Sequence, residues 1–279
     1  YQAGIREGQK MAKTIDILQD RRGIATLTID RRGKLNSFDE TQIDIFNDKL
    51  ASLHSQDGLR ALVLQGAGKV FCAGADLIYL RDKGSEPWEK NLSDAKKYAA
   101  MMTNLRELKV PVIAKVHGGA YGGGVGMVAA SDIVISESTS RFAVTEGKYG
   151  FTASIMMPYL LPRIGTRQAR RWCLTSEEMS AKIAFSIGLV DLVVDVGCLD
   201  VALEKLLDGL LHNGPTSVTE TKLAMNYLSY SIPNHTAVEK SVIAFAKGRA
   251  MKSAAEGVAS FIEGRKPRWA SAAIPLKEI

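Results

Sequence analysis

Two glycine-rich loops carry the residues whose spacing could do chemistry. One is QGAGKVFCAGADL at 65–77, and the other is AYGGGVGMVAASD at 120–132, where four of the five positions from 122 to 126 are glycine. Glycine lets the backbone turn sharply and lets another group approach a main-chain N–H closely. Free N–H groups at a helix start also favour negative charge. Two such loops could direct two N–H donors at one oxygen atom and form an oxyanion hole. From the glycines alone, tight packing of a helix on a sheet is the competing interpretation.

The sequence argues against several other kinds of site. The run Gly66-Ala-Gly68-Lys69 resembles part of a phosphate-binding loop, but Val70 stands where Ser or Thr is needed. The first strand and turn lack the dinucleotide-binding fingerprint, and the serine elbow G-x-S-x-G does not occur. No group of His, Cys, Asp and Glu has the spacing of metal ligands. We therefore expect no metal site and no resident cofactor.

Alternating strand and helix patterns predict an α/β fold that positions these loops. Apolar spacing predicts a helix from about Asp39, with Ile43, Phe46, Leu50 and Leu53 on one face. The polar stretch 81–94 predicts a mobile segment. Strands are predicted at 14–18, 24–29, 61–64, 112–116, 133–135 and 141–144. Because strands and helices alternate, we expect parallel pairing through right-handed crossovers.

The pattern changes to helices from about residue 155. Ser253 and Glu256 have the spacing of a capping box that would open a last helix. We therefore expect an α/β core domain at 11–195, an all-helical C-terminal region at 196–269 and a tail at 270–279. Met11 is the expected natural start, and we interpret residues 1–10 as an added tail.

Composition narrows the classes of partner. The chain has 279 residues and a formal net charge of +6, which favours anionic ligands or serves solubility alone. Its three cysteines, Cys72, Cys173 and Cys198, form no metal spacing and predict free thiols in a reducing compartment, the cytoplasm. No apolar run reaches the roughly 20 residues that cross a bilayer, so no membrane association is expected.

Five further motifs carry a family resemblance. They are FCAGADL at 71–77, GGAYGGGVGMVAASDIVI at 118–135, TEGKYG at 145–150, SAKIAFSIGLVDLVV at 180–194 and EGVASFIEGRKPRW at 256–269. In this order they resemble the crotonase (enoyl-CoA hydratase/isomerase) superfamily over residues 12–269. RRGKLNSF at 31–38 is similar to the family's N-terminal segment, with Arg32 where proline is usual.

The resemblance implies a fold and a substrate. The fold is a spiral of ββα turns with a C-terminal helical region used in trimerisation. The substrate is an acyl-CoA, coenzyme A being part of the substrate rather than a cofactor. Its thioester oxygen would lie between the N–H groups of Ala75 and Gly123. The expected coenzyme A path comprises Lys34, Leu35, Ala73, Ala75, Asp76, Leu77 and Gly123.

Two positions decide which branch of the family the chain resembles. Members with two catalytic carboxylates have glutamate where Gly126 stands, whereas the second family glutamate matches Glu146. The chain therefore resembles single-glutamate members, and the segment 145–165 is most similar to methylglutaconyl-CoA hydratase-like ones. One carboxylate can act as base and acid in turn. We hypothesise that Gly126 makes room for a branched or carboxylated acyl chain.

The resemblance leaves several functions open. The first is an enoyl-CoA hydratase for short or branched substrates, with Glu146 as acid and base. The second is a Δ3,Δ2-enoyl-CoA isomerase that uses the same carboxylate. An RNA-binding protein on this scaffold is a further alternative, although the sequence has neither an aromatic stacking motif nor an arginine-rich stripe. A non-catalytic CoA-binding protein would not need Glu146. We expect a homotrimer or a dimer of trimers, and no nucleic-acid partner.

Overall fold

The computed structural model describes residues 14–228 and 235–272. Residues 1–10 and Met11 lie outside this range, as do residues 273–279 of the expected tail. The strands of the described part are β1 (Ile15–Gln19), β2 (Ile24–Ile29), β3 (Ala61–Gly66), β4 (Val112–Val116), β5 (Gly119–Tyr121), β6 (Ile133–Glu137), β7 (Arg141–Ala143), β8 (Met179–Ser180) and β9 (Leu192–Val194).

These strands form two sheets. The larger has the order β1-β2-β3-β4-β6-β9, and the smaller has the order β5-β7-β8. In the larger sheet β1 pairs antiparallel with β2, and all the other neighbours are parallel. In the smaller sheet β5 and β7 are parallel, and β8 is antiparallel to β7. The predicted parallel pairing is thus confirmed from β2 to β9 in the larger sheet and between β5 and β7 in the smaller one.

The helices are α1 (Glu40–His54), α2 (Leu77–Gly84), α3 (Trp88–Glu107), α4 (Gly123–Ala130), α5 (Met157–Thr175), α6 (Ala181–Ser186), α7 (Leu199–His212), α8 (Pro215–Leu228), α9 (His235–Arg249) and α10 (Lys252–Ile262). Short 3-10 helices occupy Arg32–Lys34, Glu146–Tyr149, Ser154–Met156 and Arg268–Ala272. An α/β fold with a helical C-terminal region, as predicted, is confirmed.

Alternation along β3 explains why both faces of the large sheet are covered. Leu62 and Leu64 pack in the cluster that contains the buried faces of α1 and α3. Ala61 and Val63 point to the opposite face and pack in a second cluster. Four leucines of α7, one every fourth residue, complete this second cluster: Leu199, Leu203, Leu207 and Leu211. The first helix of the C-terminal region therefore belongs to the sheet's hydrophobic core.

A buried charge holds the next helix against the same core. Lys222 of α8 is 3% exposed, and its ammonium donates to the Val110 carbonyl oxygen at 2.8 Å and lies 2.6 Å from Asp132 Oδ2. Burial lowers the pKa of Lys222, whereas Asp132 acts in the opposite direction. Removing one partner of such a pair leaves the other charge buried alone, which is strongly destabilising.

Helices α8, α9 and α10 enclose the C-terminal groove, an open cavity of about 810 Å³. Its walls include Ala224, Leu228, Phe245, Val258 and Trp269. Several large apolar side chains on α9 and α10 stay more than half exposed: Val238, Val242, Phe245, Val258, Phe261 and Ile262.

Two local predictions are wrong. Helix α10 begins after Met251 with no side-chain cap, so Ser253 and Glu256 do not form a capping box. Glu256 instead binds Arg265 and accepts a hydrogen bond from the N–H of Arg268. The polar stretch 81–94 is mostly helical in α2 and α3, because its charges pair with neighbouring helices, as Lys83 does with Glu40 at 2.8 Å. No helix within residues 14–228 and 235–272 is long and apolar enough to cross a membrane.

Candidate active site

The candidate site lies where neighbouring segments run parallel and end together. A parallel bridge joins Cys72 to Ala120, and β5 pairs with β7 so that Tyr121 lies opposite Ala143. Because parallel segments end at one edge of a sheet, the residues that follow them meet there. Those residues are 73–75, 122–123 and 144–146. The pairing therefore brings both glycine-rich loops to Glu146.

The N–H of Ala75 is directed away from its neighbouring segment. Phe38 forms a parallel bridge with Ala75, but its N–H donates to the Gly74 carbonyl oxygen at 2.9 Å. The Phe38 carbonyl oxygen accepts from the N–H of Asp76 at 2.8 Å. Parallel pairing in this register uses the residues on either side of Ala75. No acceptor within the described residues takes the N–H of Ala75.

The second donor lies in the first turn of α4. The carbonyl oxygen of Gly122 accepts from the N–H groups of Val125 and Gly126, at 2.8 and 3.3 Å. The N–H groups of Gly123 and Gly124 precede these, so they have no acceptor inside the helix. Gly122 has a φ of 49°, in the left-handed region that glycine adopts readily. This conformation turns the chain from β5 into α4 and leaves the Gly123 N–H free.

The two loops touch through their main chains. A β-carbon placed on Gly74 would lie 2.6 Å from the Tyr121 carbonyl oxygen and 3.0 Å from the Gly123 nitrogen. A contact of 2.6 Å is shorter than real β-carbons make, so only glycine fits at position 74. The close approach brings the main chain next to Ala75 against the main chain of Gly123. The arrangement can bind one oxygen atom from two donors.

Glu146 lies three residues after the end of β7, and its carboxyl comes close to Gly122 at the same junction. A β-carbon on Gly122 would lie 3.1 Å from Glu146 Oε1 and 3.0 Å from Thr145 Oγ1. Glu146 Oε2 is buried and has no hydrogen-bond partner among the described residues. Burial raises the pKa of Glu146, and the main chain at Glu146 and Thr145 partly offsets this rise. A carboxylate with a raised pKa and an unpaired oxygen is suited to take and return a proton.

A cavity of about 460 Å³ joins these groups. It includes most of the predicted site residues: Lys34, Ala73, Ala75, Asp76, Leu77, Gly123 and Glu146. Sequence reasoning did not single out the other residues of its wall, among them Leu80, Tyr121, Tyr149 and Phe151. These residues come from three segments that are far apart in the sequence, and the sequence contains no pattern that predicts their meeting in one wall.

Most of the predicted residues of the coenzyme A path line the cavity, but Leu35 does not. Lys34 is half exposed at the cavity wall, with its ammonium 3.5 Å from Asp76 Oδ2. Leu35 lies outside the wall, and its carbonyl oxygen accepts from the N–H of Ala73 at 3.0 Å. Asp76 Oδ1 accepts from the N–H of Ile78 at 3.0 Å and caps α2. Burial alone would raise the pKa of Asp76, but the Ile78 N–H and the charges of Lys34 and Arg31 outweigh it and lower this pKa.

Asn36 is a supporting residue that the sequence did not reveal. It is fully buried, and its amide nitrogen donates to the carbonyl oxygens of Ala67 and Val70 at 2.7 and 2.8 Å. Its amide oxygen accepts from the N–H of Arg31 at 2.9 Å. The side chain thus holds the loop that leads to Ala75. Its φ of 58° lies in the left-handed region, which asparagine tolerates better than most residues.

The hypothesis that Gly126 makes room for substrate is wrong for this structure. Gly126 is buried, and a β-carbon there would lie 2.9 Å from Met102 Cε and 3.2 Å from Met156 Cβ. Two methionine side chains therefore fill the space beside it. Glycine at this position admits the methionines of α3 and of the segment before α5.

Known proteins share this architecture and most of the sequence length. A sequence profile of the Enoyl-CoA hydratase/isomerase family matches residues 19–272. The solved structure of an enoyl-CoA hydratase from Shewanella pealeana is 30% identical, with a TM-score of 0.88, and the match covers 93% of this chain and 97% of that one.

Two curated relatives differ in the reaction that their names describe. The 1,2-epoxyphenylacetyl-CoA isomerase of Escherichia coli is 29% identical over 254 residues, covering 89% of this chain and 95% of that protein. The mitochondrial methylglutaconyl-CoA hydratase of Homo sapiens is 28% identical over 258 residues, covering 90% of this chain and 75% of that protein. Similarity at this level identifies a family but not a reaction within it.

Proposed function

The chain belongs to the enoyl-CoA hydratase/isomerase family, and on that premise we propose that it adds water across the α,β double bond of a short or branched enoyl-CoA. The observation that carries the proposal is one carboxylate, Glu146, placed at the junction of two free main-chain N–H groups. The reaction uses water and the thioester, so it requires no resident cofactor and no metal.

The N–H groups of Ala75 and Gly123 would bind the thioester oxygen. When water adds to C3, the electrons of the double bond move toward this oxygen and form an enolate. Two fixed donors stabilise that negative charge more than they stabilise the neutral substrate, which lowers the barrier. Removing one such donor typically costs about 10²–10³ in rate.

Glu146 would handle both protons of the addition. Its carboxylate takes one proton from water as the oxygen bonds to C3. The resulting carboxylic acid then gives a proton to C2 of the enolate, which restores the carboxylate and completes the addition of water. A pKa raised by burial brings this carboxyl closer to neutral pH, where proton exchange in both directions is efficient.

The second candidate reaction is Δ3,Δ2-enoyl-CoA isomerisation. A lone carboxylate beside an oxyanion hole can remove a proton from C2 of a 3-enoyl-CoA and return it to C4. The family description itself includes isomerases, which keeps this alternative beside hydration. The RNA-binding and non-catalytic alternatives have no comparable support, since the curated relatives named above are enzymes of acyl-CoA chemistry.

We propose a 3-methylglutaconyl-CoA-like compound as the leading branched substrate, a choice supported by the human relative. The half-exposed Lys34 at the cavity wall suits the negative charges of coenzyme A. We further propose that the protein acts in the cytoplasm as a homotrimer or dimer of trimers, because apolar side chains on α9 and α10 stay exposed in the single chain.

A substrate panel tests the proposal. The purified protein is mixed with crotonyl-CoA, 3-methylglutaconyl-CoA and a 3-enoyl-CoA, and products are separated by chromatography. A 3-hydroxyacyl-CoA product supports hydration, whereas conversion of the 3-enoyl to the 2-enoyl compound alone supports the isomerase. Activity should decline as the pH falls through the raised pKa of Glu146, above the range of an ordinary glutamate. No turnover of any thioester would refute both reactions.

A further inference from the structure

A tyrosine hydroxyl stands next to the Gly123 donor. Tyr98 lies on α3, and its ring packs on Phe38 with 5.1 Å between ring centroids and 58° between ring planes. A β-carbon placed on Gly123 would lie only 2.2 Å from the Tyr98 hydroxyl oxygen and 2.6 Å from Phe38 Cζ. The hydroxyl therefore occupies the space where any other residue at position 123 would carry its side chain.

The distance from this hydroxyl to the Gly123 nitrogen is bounded by covalent geometry. A β-carbon lies about 2.5 Å from the nitrogen of its own residue, so the hydroxyl oxygen lies at most about 4.7 Å from the Gly123 nitrogen. Hydrogen bonds span about 2.9 Å for N–H donors and about 2.7 Å for hydroxyl donors. One oxygen atom can therefore accept from the Gly123 N–H and from the Tyr98 hydroxyl together.

The hydroxyl is available to such an acceptor. No residue within the described ranges forms a hydrogen bond with it, and it lies in buried surroundings against Gly123, which lines the cavity of about 460 Å³. Burial, the charge of Glu146 and the nearby Cys72 raise the pKa of Tyr98 well above its ordinary value. The hydroxyl therefore keeps its hydrogen at neutral pH and can donate it.

Gly126 stands where two-carboxylate members of the family carry their second glutamate, and it supplies no polar side chain to the site. Met102 and Met156 fill the space at Gly126. Near the junction, Tyr98 thus supplies a side-chain donor against Gly123, and Glu146 lies against the neighbouring Gly122.

We propose that the Tyr98 hydroxyl is a third hydrogen-bond donor to the thioester oxygen, alongside the N–H groups of Ala75 and Gly123. This inference rests on the proposed acyl-CoA chemistry. The hydroxyl donates a hydrogen bond and transfers no proton, so the balance of the addition is unchanged. Because negative charge on the oxygen grows during the reaction, the third donor acts mainly on kcat.

Tyr98→Phe removes the hydroxyl and keeps the ring. We expect kcat to fall by about 10²-fold, the lower end of the range for an oxyanion donor, with a smaller, several-fold rise in KM. The matched control is Tyr159→Phe, since the Tyr159 hydroxyl bonds to Thr103 of the same helix at 2.8 Å. The control should keep wild-type kcat. A Tyr98→Phe enzyme with more than half of the wild-type kcat would overturn the proposal.

Fluorinated tyrosine at position 98 separates a donor from a structural support. Fluorine makes the phenol more acidic and a stronger donor while changing its size little. We expect 3-fluorotyrosine to retain or raise kcat relative to tyrosine, with phenylalanine far below both. If 3-fluorotyrosine and phenylalanine lower kcat alike, the hydroxyl is a structural support and the proposal fails.

A binding measurement tests the role of Tyr98 independently of whether the protein catalyses the proposed reaction. By calorimetry, Tyr98→Phe should weaken butyryl-CoA binding several-fold and leave the thioether analogue without the carbonyl oxygen unaffected. Equal losses for both ligands, or no loss for either, would refute the role of Tyr98. Should the wild-type protein turn over no thioester, the proposed function fails, and this binding difference still decides the role of the hydroxyl.

Discussion

The active-site cavity and the C-terminal groove are built on different principles. The groove is the larger, at about 810 Å³ against about 460 Å³, and apolar side chains of three helices dominate it. The smaller cavity is made by the ends of parallel segments, where Ala75 and Gly123 keep free N–H groups and Glu146 keeps an unpaired oxygen.

If the smaller cavity is the active site, as we propose, size does not mark the site of chemistry. Buried polar groups normally find partners, because leaving one unpaired costs free energy. The active-site cavity brings several unpaired polar groups together, which is expected where a bound substrate supplies their hydrogen-bond partners. The groove gathers exposed apolar surface instead, which is expected where a protein surface completes the packing.

The sharpest test of the comparison is Glu146→Gln. The amide is nearly isosteric but cannot take a proton near neutral pH, so kcat should fall by about 10²–10⁴ while acyl-CoA binding persists. A groove variant, Val258→Ala, is the control and should keep wild-type kcat in the same spectrophotometric assay. Full activity of Glu146→Gln would mean that another group handles the protons.

A second test adds one methyl group to each region. In Gly123→Ala the new carbon would collide with the Tyr98 hydroxyl and Phe38, at 2.2 and 2.6 Å. We expect about 10² loss of kcat/KM and a lower Tm. In the groove, Gly214→Ala meets only ordinary contacts, the nearest 3.5 Å away at Trp269, and its free energy of unfolding should stay within about 0.5 kcal/mol of wild type. Equal effects at the two positions would contradict the comparison.

The third test concerns what covers the groove. Phe245 is 67% exposed on α9, and a charge there should disrupt a subunit contact more than the folded chain. Phe245→Asp is expected to reduce the mass measured by light scattering about threefold, from the proposed trimer to a single chain. If the wild-type protein is already a monomer at micromolar concentration, the proposed trimer is refuted.

The smallest expected effect is a gain in stability. Burial raises the pKa of Glu146, so the folded state binds its proton more tightly than the unfolded state does. The wild-type protein is therefore most stable below the pKa that Glu146 has in the unfolded chain. It loses stability as the pH rises through the higher pKa that Glu146 has in the folded state. Glu146→Gln should therefore raise Tm at pH 7, and in a domain of this size each 1 kcal/mol of stability corresponds to about 2–4 °C.

The pH dependence supplies the control for that gain. The Tm difference between Glu146→Gln and wild type should shrink as pH approaches 4, where the glutamate is protonated in both states. A difference that stays constant with pH would point to packing of the amide instead of the removal of a buried charge.

Much of the fold and part of the site follow from local patterns. The predicted face of α1 is confirmed, with Ile43, Phe46, Leu50 and Leu53 all buried. The two glycine-rich loops and Glu146 converge as the motifs indicate. Each of these predictions rests on periodicity or on a contiguous motif, where neighbours in sequence remain neighbours in space.

The missed features depend on contacts between distant segments. Half of α3 and the two strands β4 and β5 separate Tyr98 from Gly123 along the chain, so its position beside that glycine follows only from how α3 packs. The methionine filling at Gly126 has the same origin. Helix α5 shows no continuous period, because Pro162 lies inside it and Gly165 leaves the helical conformation at φ 73°.

The proposed oxygen-binding donors of Ala75 and Gly123 belong to the main chain, whereas the proposed base is a side chain. Single substitutions therefore affect the two parts of the site differently. No side-chain truncation can delete an amide N–H; only proline, or a shift of the chain path, can do so. The base, by contrast, is lost by a single exchange at position 146. Sequence drift or laboratory evolution can therefore replace the proton-handling group while charge stabilisation persists, so this scaffold can change reactions without first losing its hold on a thioester.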